Sequence, residues 1–256
     1  MKFLDNKNKE EDAISLREVS KSFGPKYALK NVSVNFKKGR CTGIVGPGAS
    51  GKTILVKIIA GLIKPDSGKV EIEGTDISRL NELHLQKVRS KIGMLFQNNA
   101  LFDYLTVGEN IAFPLRRLFQ LSEEEISRRV AERLERVGLA GMEDRFPASL
   151  SGGQKKRVGI ARCTVACQPY LIYDDPTAGL DPVTASKIFL LIREEQEKMG
   201  TTVIVISSDV DSLLKYIQNL IVLDRGVVMF EGAVEEAFKS SHPWVRAFLK
   251  GEWKKS

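Results

Sequence analysis

Gly46-Pro47-Gly48-Ala49-Ser50-Gly51-Lys52-Thr53 matches the pattern G-x-x-x-x-G-K followed by Ser or Thr. Glycines at 46, 48 and 51 let the backbone turn successive N–H groups into one concavity, where an anionic phosphate can sit. Cys41-Thr42-Gly43-Ile44-Val45 reads as a buried strand entering the loop, and Ile54-Leu55-Val56-Lys57-Ile58-Ile59-Ala60 as an apolar helix leaving it. A helix that begins at Lys52 adds its positive dipole end to the field of the loop. In that setting Lys52 reaches the β- and γ-phosphates of a nucleotide, and the Thr53 hydroxyl joins the shell of a Mg²⁺ ion.

Residues 15–20 and 29–36 read as strands, with Phe23 exposed on the turn between them, where an aromatic ring can stack on adenine. Pro65-Asp66-Ser67-Gly68 is a turn, followed by a strand over 69–73 and an alternating strand over 92–96 that ends at Gln97. From about 100 to 150 the pattern becomes helical. Ser122-x-x-Glu125 predicts a capping box, and Ile126, Val130, Leu134 and Val137 line one face behind it. This is a helical arm inserted into an α/β core. Strands over 170–173, 202–206 and 220–223 then alternate with helices, which argues for a parallel sheet.

The 256 residues, 43% hydrophobic and 28% charged, suffice for one large core or for a core with a satellite subdomain. No apolar run approaches the ~20 residues needed to cross a bilayer, and Met1 to Lys9 lack a signal-peptide h-region, so a cytosolic chain is expected. An odd number of cysteines, Cys41, Cys163 and Cys167, fits a reducing compartment. Cys163 and Cys167 stand i,i+4 on an expected helix with no second Cys/His pair, which favours core packing over a metal site. The net charge of +7 is spread along helices and interleaved with glutamates, as in Ser127-Arg128-Arg129 and Arg133. No nucleic-acid partner is expected from it, and anionic lipid headgroups fit it at least as well.

Four further segments follow the loop in order: Gln97; Leu150-Ser151-Gly152-Gly153-Gln154; Leu171-Ile172-Tyr173-Asp174-Asp175 leading to Gly179-Leu180-Asp181-Pro182; and Ser208. With them the chain resembles the nucleotide-binding subunits of ATP-binding-cassette (ABC) transporters over about residues 13–235. The resemblance implies an α/β ABC ATPase fold: a RecA-like P-loop core, an antiparallel β subdomain and a helical subdomain inserted at about 100–155. The cassette would span 13–240, after a flexible N-terminus of residues 1–12 and before a helical tail of 241–256. It also implies ATP and Mg²⁺ as cofactors. ATP would lie against Phe23 and on Gly46, Pro47, Gly48, Ala49, Ser50, Gly51, Lys52 and Thr53, with Thr53, Gln97 and Asp174 around the metal. Ser151, Gly153 and Gln154 would cap the γ-phosphate of ATP held by the other subunit of a homodimer, and Asp181 would cross the interface. Catalysis would fall to Asp175, Gln97, Ser208 and Lys52.

A narrower resemblance rests on Gly51-Lys52-Thr53-Ile54-Leu55-Val56-Lys57, Gly93-Met94-Leu95-Phe96-Gln97, Ala100-Leu101-Phe102-Asp103 and Leu105-Thr106-Val107-Gly108-Glu109-Asn110-Ile111-Ala112-Phe113-Pro114-Leu115-Arg116. These look like the ATPases paired with Mce-type lipid-trafficking permeases, the Mla group, and His242-Pro243-Trp244-Val245-Arg246-Ala247-Phe248-Leu249-Lys250-Gly251 is similar to their tail. The implied partners are an integral membrane permease of the Mce/MlaE type and, optionally, a small cytosolic accessory subunit. The implied location is the cytoplasmic face of the inner (plasma) membrane. Without the family, Trp244, Phe248 and Leu249 form a helical stripe that docks either on its own core or on a partner.

Two departures bear on rate. Relatives place glutamate where this chain has Asp175, and one methylene fewer withdraws the carboxylate by about 1.5 Å. Relatives carry histidine where this chain has Ser208, and neither His84 nor His242 can replace it by position. A lesser departure is Gly48-Ala49 in place of the Ser-Gly that relatives favour. Slow hydrolysis is therefore expected. Three functions stay open at this point: an energising subunit of a lipid transporter, a nucleotide-gated clamp with little turnover, and a soluble cassette protein acting on nucleic acid. One cassette without heptads weighs against the third.

Overall fold

The computed structural model describes residues 11–252 and places their ten strands in two sheets. The expected flexible N-terminus lies outside the described residues except for its last two, as do the final four residues of the tail. The chain runs β1 (Asp12–Phe23), β2 (Lys26–Lys37), β3 (Cys41–Val45), α1 (Lys52–Ile59), β4 (Ser67–Ile72), β5 (Thr75–Asp76), α2 (Glu82–Arg89) and β6 (Ile92–Leu95). It continues with α3 (Val107–Leu118), α4 (Glu123–Arg136), α5 (Gly152–Thr164), β7 (Tyr170–Asp174), α6 (Pro182–Met199) and β8 (Thr202–Ile206). It closes with α7 (Val210–Leu213), β9 (Asn219–Asp224), β10 (Val227–Ala233), α8 (Val234–Ala237) and α9 (Pro243–Leu249).

The larger sheet has the order β10-β9-β3-β8-β7-β6, parallel from β9 to β6. Successive side chains point to opposite faces, so a strand covered on both sides reads as a continuous apolar run. In β8, Val203 and Val205 join one core while Ile204 and Ile206 join the other. In β9, Leu220 and Val222 part from Ile221 and Leu223 in the same way. One face is covered by α1 and by the antiparallel sheet β2-β1-β4-β5, the other by α3 to α6.

The sheet is not parallel throughout. β10 returns antiparallel to β9 through Arg225 and Gly226, both at positive φ, the geometry of a tight hairpin. Its residues are half-buried or exposed, although Val227-Val228-Met229-Phe230 is an apolar run.

In the helical arm, Ile126, Val130, Leu134 and Val137 are all buried as expected. The box expected at Ser122 is only half formed. Ser122 accepts from the Glu125 amide at 3.3 Å, but the Glu125 carboxylate is taken by Arg128 and Arg129. The complete box caps α3, between Thr106 and Glu109. A buried ion pair, Arg133 with Glu195, ties α4 to α6.

Cys163 is buried, but α5 ends at Thr164, so Cys167 stands beyond the helix, exposed and at φ 52. The expected packing of both thiols holds for Cys163 alone. In the tail, Val245 and Leu249 of α9 are buried in the chain's own core, and Trp244 and Phe248 stack on each other at 5.3 Å beside it. Among the described residues, no helix is long and apolar enough to cross a membrane.

Candidate active site

The loop from Gly46 to Gly51 leaves β3 at the carboxyl end of the sheet and turns into α1. Two of its glycines are demanded by close backbone approach. A Cβ on Gly46 would stand 1.9 Å from the Leu223 carbonyl oxygen, and one on Gly51 2.3 Å from that of Ala28. The third works differently from the expectation. The left-handed conformation falls on Ala49, at φ 60, while a Cβ on Gly48 would meet nothing within 4 Å. The glycine thus sits one residue early, and Ala49 carries a left-handed strain of about 1 kcal/mol. Ser50 is buried, and its carbonyl accepts from the Gly226 amide at 3.0 Å, which ties the loop to the hairpin after β9.

The Lys52 ammonium folds over the loop, donating to the carbonyls of Gly46 at 2.9 Å and Pro47 at 2.8 Å and to Ser50 Oγ at 3.3 Å. Burial pushes its pKa down, and the carboxylates of Asp175 and Asp174 oppose that shift. A cleft of about 320 Å³ opens beside it, lined by Phe23, Lys26, Tyr27 and residues 49–54. Phe23 and Tyr27 are 54% and 56% exposed, so two aromatic faces, not one, are presented to a base. Tyr27, which falls between the two strands expected from the sequence and is not singled out there, stands at the start of β2.

Asp174 ends β7 and accepts from the Thr53 hydroxyl at 3.3 Å. Two oxygens bound side by side to one Mg²⁺ lie about 3 Å apart, so this pair fits that ion. Burial raises the Asp174 pKa, and the Thr53 hydrogen bond pulls it back.

The two departures meet. The Ser208 hydroxyl faces both carboxylate oxygens of Asp175, at 3.1 and 3.3 Å, and the Ser208 amide lies 3.4 Å from one of them. Asp175 itself takes a left-handed φ of 52. Gln97 follows β6, with its carbonyl held at 2.6 Å by Lys156 of α5.

Ser151, Gly153, Gln154 and Asp181 gather elsewhere, around a second cleft of about 500 Å³ that shares no lining residue with the first. Ser151 caps α5 in a full box: its Oγ accepts from the Gln154 amide at 3.3 Å, and Gln154 Oε1 accepts from the Ser151 amide at 2.9 Å. The hydroxyl proton of Ser151 is not used by that box. Asp181 caps α6 by accepting from the amides of Val183 and Thr184 at 3.0 Å; the Thr184 hydroxyl, together with the Thr184 and Val183 amides, holds its carboxyl below the usual range. One chain therefore carries two separate clefts, one at the phosphate loop beside the Thr53–Asp174 pair and one at a helix N-terminus lined by small residues.

Residues 29–178 match the family described as ABC transporter. The methionine import ATP-binding protein MetN of Carboxydothermus hydrogenoformans is 41% identical over 223 residues, 87% of this chain and 66% of that protein. MetN of Brucella abortus is 39% identical over 225 residues, 88% and 61% of the two lengths. The chain thus spans less than two thirds of the length of these relatives. Among solved structures, the dimeric post-hydrolysis state of the ATP-binding cassette MJ0796, bound to ADP and phosphate, superimposes with a TM-score of 0.81 at 36% identity, covering 86% of this chain and 98% of that one. CbiO1 of Clostridium perfringens, part of the ABC transporter complex cbiONQ, gives 0.82 at 33% identity, covering 94% and 96%. The chain belongs to the ABC transporter family. Its fold is that of the ATP-binding cassette, whose cofactors are ATP and Mg²⁺.

Proposed function

We propose that this chain is the energising subunit of a membrane transporter, two copies of which close around Mg·ATP, hydrolyse it slowly and pass the motion to a permease. The observation that carries the reading is the division of the site into two clefts on one chain, each lacking what the other has. Adenine stacks against Phe23 and Tyr27, and the triphosphate lies along the loop at the N-terminus of α1. Lys52 exchanges the carbonyls of Gly46 and Pro47 for phosphate oxygens. Thr53 and Asp174 hold Mg²⁺, which supplies neutralisation of phosphate charge. Ser151, Gly153 and Gln154 of the second copy close over the γ-phosphate, and Asp181 lies at the seam.

In hydrolysis a water oxygen attacks the γ-phosphorus, the bond to the β-phosphate oxygen breaks, and ADP leaves. Gln97 orients that water and Asp175 accepts its proton. The shorter carboxylate, engaged with Ser208, stands back from the water, and loss of the imidazole removes a donor, which together slow the step.

The cargo reading is phospholipid trafficking with an Mce/MlaE-type permease, at the cytoplasmic face of the plasma membrane, optionally with a small accessory subunit. Its support is the run from Leu105 to Arg116 and the tail around Trp244. A second reading, amino-acid import, is favoured by the methionine import relatives. Affinity purification in mild detergent with mass spectrometry separates them. An MlaE-type permease with bound phospholipid is the expected result, and a methionine permease would replace the lipid reading. Steady-state phosphate release from the recovered complex tests the slow step: turnover of about 1 s⁻¹ or faster would show both departures to be harmless. No turnover with intact Mg·ATP binding would make the chain a nucleotide-gated clamp.

A further inference from the structure

Lys156, which holds the Gln97 carbonyl, has no role in the chemistry proposed above, yet it is a buried basic side chain beside the residues that carry it. It lies one turn into α5, four residues beyond Gly152, and is 5% exposed. Its ammonium donates to the Gln97 carbonyl at 2.6 Å and lies 3.4 Å from the Asp175 carbonyl. Burial lowers its pKa, and the carboxylates of Asp175 and Asp174 oppose that shift. The same helix grips the same loop again. Arg162 donates to the carbonyls of Ala100 at 2.8 Å and Asn99 at 2.5 Å. Between these two cations, Gly159 lets α5 lie directly on the end of β6, since a Cβ there would stand 2.5 Å from Leu95 Cδ1. Asn99 and Ala100 are both left-handed, at φ 60 and 49, a local strain that persists because the surrounding bonds over-determine it.

We infer that Lys156 is a positioning residue that joins the helix carrying one half-site to the backbone of the water-orienting residues in the other half-site of the same chain, so that occupancy of one composite site is felt in its twin. The inference rests on the shared-site reading above. In a closed dimer the N-terminus of α5 meets nucleotide held by the second copy, whereas Gln97 and Asp175 face nucleotide held by their own chain. A shift of α5 is carried by Lys156 to two carbonyls, those of Gln97 and Asp175. Because α5, Gln97 to Ala100 and Asp175 are bonded together, the link is a rigid contact with two arrangements, open and closed, that both nucleotides bias.

The test uses the full chain with Mg·ATP and two substitutions: Lys156→Met, of similar length without donors, and Lys156→Arg, which keeps them. The parent is expected to show sigmoidal dependence of hydrolysis on ATP. Lys156→Met should give a hyperbolic curve with kcat down about tenfold, while binding of a fluorescent ATP analogue to the monomer changes less than about twofold. Lys156→Arg should restore the sigmoid and most of kcat. Unchanged cooperativity and kcat in Lys156→Met, or an arginine variant no better than the methionine one, would overturn the inference. A parent that neither binds nor hydrolyses ATP would instead remove the function reading. Hydrogen exchange on the unsubstituted chain decides the matter if a variant does not fold. The amides of 97–100 and 152–164 should open as one unit with a common denaturant dependence, and a loop that opens alone while α5 stays protected defeats the idea.

Discussion

Asp175 and Ser208 face each other across the ends of β7 and β8, and their hydrogen bonds make them one unit. Changing either alone disturbs a contact the other depends on, so effects on rate should not multiply. A lone Asp175→Glu lengthens the carboxylate toward the water but breaks its fit with Ser208, while a lone Ser208→His adds a donor beside a carboxylate that stays short. The double variant is expected to hydrolyse ATP on the order of 10²-fold faster than the parent, and faster than the product of the single gains. Phosphate release at saturating Mg·ATP measures it, and a double variant no faster than the parent would count against any role for the pair. Asp66 is a second residue with a readable consequence. Hydrogen bonds from Lys21 and from the Ser22 amide and hydroxyl hold its carboxyl at about 2 instead of 3.8, and Ser22 immediately precedes Phe23. A depressed folded pKa gives stabilisation that is complete above the ordinary carboxylate value and is lost as pH falls toward about 2. Asp66→Asn should therefore melt below the parent at pH 7, with the two Tm values converging between pH 4 and 2. Curves that stay parallel to the lowest pH would show that Asp66 does not anchor this turn.

At the scale of elements, what could be read in advance depended on how local the signal was. The strands over 41–45 and 202–206 were legible at their true ends because both faces are buried and every position is apolar or small. β10 carries an apolar run too, Val227-Val228-Met229-Phe230, but it is only half-buried and lacks the two covered faces that mark a central strand. The phosphate loop announced itself by spacing, whereas Asp174 and Ser151 were reached through the resemblance to a family. Lys156 was reached by neither, because its two acceptors are 59 and 19 residues away and a lysine in a helix carries no mark of burial. The misplaced capping box has the same origin: Glu125 satisfied the pattern, but Arg128 and Arg129, a turn further on, compete for its carboxylate. The contact of α5 with β6 is the element-level feature most open to test. Gly159→Ala puts a methyl group where Leu95 Cδ1 stands 2.5 Å away, with Asn99 Cβ at 3.6 Å behind it. Overpacking of this kind costs about 1–3 kcal/mol. The loss should appear in urea unfolding with an unchanged slope, and a fully stable Gly159→Ala would mean that α5 rides more loosely on the sheet than these distances imply.

For the molecule as a whole, the proposal turns on neither cleft being sufficient, and this can be tested without knowing the permease. Lys52→Ala removes the ammonium of the phosphate loop but leaves the second cleft intact. Gly152→Asp does the reverse. A side chain at 152 has room, its nearest neighbour being Leu180 Cδ2 at 3.9 Å, and an acid in the first turn of α5 suits the helix while repelling a phosphate. Each variant alone should fail to form a dimer on Mg·ATP. Mixed together, they should associate, because one of the two composite sites in the mixed pair combines an intact Lys52 with an intact helix N-terminus. The slow chemistry expected from Asp175 and Ser208 helps here, since bound ATP survives long enough for separation by size. Light scattering after gel filtration of the mixture, with and without Mg·ATP, reads the outcome directly. Dimers from either variant alone, or none from the mixture, would mean that the two clefts do not share a nucleotide.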